Sequence, residues 1–101
     1  THADEQAVAA ALYLSIIENR KGCILTRNSD IERILKNTFS YFSYSRNRRF
    51  NEFFSLASNK IRIYFVSDFQ QAELIFDSQS FSPDRLSQEA MANIDRETKF
   101  L

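Results

Sequence analysis

Arg46, Asn47, Arg48, Arg49 and Asn51 crowd into one short stretch. Their chemistry is that of contact with a polyanion. A guanidinium fork can pair bidentately with a guanine edge or a phosphate, a carboxamide can pair with adenine, and both can hold backbone phosphates. The surrounding charge points the same way. Between Arg20 and Arg62 ten basic residues face three acids, a local balance of +7 in a chain whose formal net charge is zero. The flanks are acidic, so a polyanion would be drawn to the middle of the chain and repelled by its ends. Arg33, Lys36, Lys60 and Arg62 belong to the same basic segment and are candidate phosphate contacts.

Catalytic chemistry finds little to use. The chain holds one histidine, His2 at the terminus, and one cysteine, Cys23, so no histidine-based triad or dyad is expected within the fold. No paired CxxC, His–Glu cluster, glycine-rich phosphate loop or EF-hand spacing occurs. The expectation is a protein that is not an enzyme, with no cofactor and no metal. Asp68, Glu73, Asp77 and Asp84 read as a solvated acidic flank. A lone cysteine permits no internal disulfide, which favours an intracellular compartment, cytoplasmic or nuclear. Cys23 itself reads as a small buried hydrophobe. The apolar run Ala7 to Leu14 is too short to span a bilayer, so no membrane is expected.

The elements that position the basic stretch follow from periodicity. With 101 residues, 44% of them hydrophobic and ten of them Phe, the chain has material for one modest domain. Val8, Leu12 and Ile16 fall four apart and predict a first helix over about Asp4 to Asn19. Arg20, Lys21 and Gly22 close it, with Gly22 in the left-handed position. Cys23 to Thr26 predicts a short edge strand. Ser29-Asp30-Ile31-Glu32 has the form of a capping box and opens a second helix, with Ile31, Ile34, Leu35 and Phe39 as its buried stripe and an end near Thr38. Ser40 to Tyr44 then reads as an aromatic connection. Ser45 caps a third helix, Arg46 to Ser58, burying Phe50, Phe53, Phe54 and Ala57 and turning its Arg and Asn side chains outward. The period then changes to two. Ile61 to Val66 and Gln71 to Phe76 predict a hairpin with a four-residue loop at Ser67 to Gln70. Ser82-Pro83 opens a last helix through about Arg96, with Leu86, Ala90, Met91 and Ile94 as a thin apolar stripe.

Helix, short strand, helix, helix, hairpin: over residues 4–77 this order resembles a winged helix-turn-helix domain, an α+β fold. The resemblance implies a winged-helix domain over residues 1–78 and an added C-terminal helix and tail over 79–101. By that resemblance the third helix lies in the major groove of double-stranded DNA and the hairpin is a wing. The contacts it implies are Arg46, Asn47, Arg48, Arg49 and Asn51 on the reading helix, Lys60 and Arg62 at the wing base, and Arg33 and Lys36 on the second helix. The expected role is DNA binding in transcription regulation, replication or chromatin.

Asp68 and Phe69 at the wing tip oppose that use, because an acid there repels phosphate and an exposed aromatic anchors protein partners. The alternative is therefore a winged-helix protein–protein interaction module, with Phe69 as an anchor. Leu86, Met91, Ile94 and Phe100 supply a second apolar surface, for a homodimer or another partner.

Overall fold

The computed structural model describes residues 2–83 and 88–98. Among them the chain is α+β, with four α-helices and one three-stranded sheet. Helix α1 spans His2–Ile16, β1 Gly22–Thr26, α2 Asp30–Tyr44, α3 Arg48–Ala57, β2 Ile61–Val66, β3 Ala72–Asp77 and α4 Gln88–Thr98. No helix among the described residues is long and apolar enough to cross a membrane.

The α1 stripe is as expected, with Val8, Ala11 and Leu12 buried, and Ser15 joins it by donating its hydroxyl proton to the Leu12 carbonyl. What ends α1 differs from expectation. Asn19, at φ 54°, takes the left-handed position, and the Arg20 N–H reaches back to the Leu14 carbonyl. Gly22 instead begins β1, where a Cβ would sit 3.3 Å from the Ala11 carbonyl oxygen. Its smallness lets the helix approach the strand.

The end of α2 is also displaced. The helix continues to Tyr44 and absorbs the predicted aromatic connection, burying Ser40, Tyr41 and Phe42. Leu35, Phe39 and Phe42 are spaced to keep one face on the core, and no Gly or Pro interrupts them. At its start Ser29 makes no side-chain cap. Asn28 does that work: its Oδ1 accepts from the Asp30 N–H at 3.1 Å, and its Nδ2 donates to Asp4 Oδ2 at 2.7 Å, tying the turn to α1.

Strand β1 pairs with β2 in parallel and β3 with β2 antiparallel, which leaves β1 at an edge and β2 central. Parallel neighbours require a crossover, and α2 with α3 supplies it. The pleat puts Gly22, Ile24, Ile61 and Ile63 on the covered face, as their burial confirms, and turns Cys23 and Leu25 outward. Cys23 is therefore exposed rather than buried. A bulge sits where the β2–β3 register slips, between Ile63↔Phe76 and Tyr64↔Leu74.

Phe39, fully buried, is the centre of the core, meeting Phe54, Phe76 and Phe81 at ring separations of 5.8, 6.1 and 6.2 Å. Ser78, in a short turn of 3-10 helix after β3, accepts from the Ile61 N–H at 3.0 Å and donates to the Ala57 carbonyl. One buried hydroxyl thus joins the end of α3 to the start of β2. Ser82 and Pro83 are not helical, and the predicted first turn beyond them lies outside the described residues. The described part of α4 packs on α2, and Met91 is turned against the core.

Candidate interaction surface

The corner between α2 and α3 consumes much of the side-chain chemistry expected to face solvent. Asn47, not Ser45, is the N-cap of α3, its Oδ1 accepting from the Arg49 N–H at 2.9 Å. Ser45 supports it by accepting from the Asn47 N–H. Asn51 points back at the end of α2. Its Nδ2 lies 2.8 Å from the Phe42 carbonyl, 3.3 Å from that of Ser43 and 3.0 Å from that of Ser45. Helix ends leave carbonyls without intrahelical partners, and Asn51 satisfies those of α2. Both expected adenine-pairing side chains therefore hold the fold.

Several of the expected phosphate contacts are engaged as well. Lys60 Nζ lies 2.5 Å from Asn19 Oδ1 and 3.5 Å from the Ser15 carbonyl, placing its charge at the negative end of α1. Lys36 pairs with Glu32 at 2.7 Å, one turn away on α2. Arg62 pairs across the hairpin with Asp77 at 3.3 Å; the neighbouring Tyr64, and then Asp77, raise its pKa above the ordinary arginine value. Asp68 at the hairpin tip faces Arg27 at 3.7 Å, so the acid that would repel phosphate has a counter-ion from the end of β1.

Arg33, Arg46, Arg48 and Arg49 remain, exposed and with no ion pair or side-chain hydrogen bond to another described residue. Arg46, Arg48 and Arg49 cluster where α3 begins. Arg33 lies on α2 away from the stripe that meets α3, so the structure does not gather all four on one helix face.

Apolar side chains behave in the opposite way. Between α1 and α3, with Phe42 as floor, runs a groove of about 310 Å³ lined by Ala9, Leu12, Tyr13, Ile16, Ile17, Phe42, Phe50 and Phe53. Every lining residue is apolar or aromatic. Tyr13 is 55% and Ile17 62% exposed, and Phe50 and Phe53 are half-buried rather than enclosed as the helical period predicts. Tyr13 and Ile17 went unread in the sequence. Their signal is a second stripe on α1, Ala9-Tyr13-Ile17, beside the core stripe Val8-Leu12-Ile16.

Phe69, at the hairpin tip, is 88% exposed, and Leu25 and Leu74 add exposed apolar surface on the sheet. Of the C-terminal apolar residues, Met91 packs on the core, while Leu86, Phe100 and the side chain of Ile94 lie outside what the structure describes. Among the described residues no group of three or more His, Cys, Asp or Glu is placed to hold a metal ion. Compared with protein-family models, curated proteins and solved structures, the chain matches none.

Proposed function

We propose that this chain is a winged-helix-like, non-enzymatic interaction module that docks on another protein. The observation that carries this reading is the α1–α3 groove, an open and largely apolar cleft beside a helix start whose three arginines have no side-chain partner among the described residues. A cleft of this volume with an apolar lining falls at the small end of the range of sites that receive ligands or partner side chains. Phe69 offers a second anchor at the hairpin tip.

Double-stranded DNA is the second reading, favoured by Arg46, Arg48 and Arg49 together. It is weakened because Asn47, Asn51, Lys36, Lys60 and Arg62 are engaged within the fold. A C-terminal homodimer loses Met91 to the core.

Two titrations of the folded protein separate the readings. The docking reading expects the native protein to enhance anilinonaphthalene sulfonate fluorescence and Ala9→Phe, which fills the groove, to remove the enhancement. It also expects mixed-sequence duplex DNA to bind weakly at physiological salt. Tight duplex binding that falls steeply with added salt, with no dye uptake, would transfer the function to DNA.

A further inference from the structure

We propose that the groove between α1 and α3 receives an acidic amphipathic helix of a partner protein. The inference rests on the docking reading and adds the chemistry of the partner. Lys60, just beyond α3, reaches the end of α1 at Ser15 and Asn19, so both groove walls finish at the same side of the fold. Two such helix walls over an aromatic floor form a trough that suits a third helix, whose residues at i, i+3, i+4 and i+7 would meet Tyr13, Ile17, Phe50 and Phe53.

Charge selects the sign of that helix. Arg49 precedes Phe53 by four residues and so shares its face of α3, while Arg46 lies just upstream of Phe50. At the other end of the trough Arg20 and Lys21 follow α1, exposed and without a side-chain partner among the described residues. By the same spacing Glu5 precedes Ala9 on α1, and with Glu18 and Glu52 it makes three acids beside these four cations, so the rim stays net positive. Carboxylates along the rim of an incoming helix would meet the cations, and lysines there would be repelled.

The same arrangement disfavours the other occupants. Duplex DNA has no use for an apolar trough. A second copy joined by a two-fold axis would set this basic rim against itself.

The probes are two fluorescein-labelled helical peptides of about four turns. Each carries Leu at the i, i+3, i+4 and i+7 positions; one has Glu and the other Lys on the remaining face. The Glu peptide should bind at least about tenfold more tightly than the Lys peptide. Arg49→Glu should erase most of that preference, and Ala9→Phe should abolish binding of both. Tyr13→Ser, at an exposed position that leaves the core intact, should weaken both and guards against a misfolded Ala9→Phe. Equal affinity for the two peptides would overturn the acidic partner while leaving the docking reading in place. Dye uptake with no peptide binding would overturn a helical occupant, and loss of both would overturn docking itself. Self-association of the chain that Ala9→Phe abolishes would assign the groove to a second copy and also refute the proposal.

Discussion

The α2–α3 corner and the α1–α3 groove share helix α3 and treat their side chains in opposite ways. At the corner, polar residues that the helical period turns outward are drawn back to the backbone: Asn51 holds three carbonyls and Asn47 caps α3. In the groove, aromatic residues that the same period turns inward stop half-way and line an open cleft. Polarity alone therefore does not decide what is available to a partner. A short polar side chain beside a helix end has backbone groups to satisfy. A large apolar one is enclosed only if another element reaches it.

The largest test of this contrast compares two phenylalanines. Phe39→Ala empties the centre of the core and should cost roughly 3–5 kcal/mol in chemical denaturation. Phe53→Ala, already open to the groove, should cost only about 1–2 kcal/mol. Equal costs would mean that Phe53 is as enclosed as Phe39 and that the groove does not exist in solution.

A second comparison concerns two polar residues of α3, one engaged with the end of α2 and one exposed. Asn51→Ala strands carbonyls at the end of α2 and should cost about 1–3 kcal/mol. Arg48→Ala, with no intrachain partner among the described residues, should change stability by less than about 0.5 kcal/mol. If the two variants are equally stable, Asn51 is free for a partner and the corner loses its structural meaning.

The smallest effect is at the hairpin tip. Gln70 sits at φ 59°, where a side chain is disfavoured, and its N–H donates to the Ser67 carbonyl at 2.9 Å. Gln70→Gly should raise stability by up to about 1 kcal/mol while leaving Phe69 exposed. A destabilised variant would show that the Gln70 side chain contributes to the tip.

Local patterns made much of this fold legible in the sequence. The alternation at Ile61-Ile63 marks β2, and Val8-Leu12 marks the buried side of α1. Features set by backbone geometry were harder to read. Ser29 and Asn28, or Ser45 and Asn47, are chemically equivalent cap candidates, and only the folded turn shows which oxygen meets the free N–H: Asn28 at Asp30 and Asn47 at Arg49. The extension of α2 to Tyr44 depends on α3 returning its Phe50 against Phe42, with ring centroids 5.3 Å apart. Parallel pairing of β1 with β2 joins segments separated by two helices, beyond the reach of any local signal. The candidate site divides similarly. Arg46, Arg48 and Arg49 were visible as charge, whereas the groove beside them exists only once α1 and α3 are set side by side.

The most direct measurement is an amide and methyl NMR titration of the uniformly labelled protein with the acidic helical peptide. Docking predicts shifts concentrated at Ala9, Tyr13, Ile16, Ile17, Phe50 and Phe53, together with Arg46 and Arg49, and little change on the sheet. Shifts confined to the hairpin around Phe69, or to Arg33 on α2 with the groove unmoved, would contradict the account.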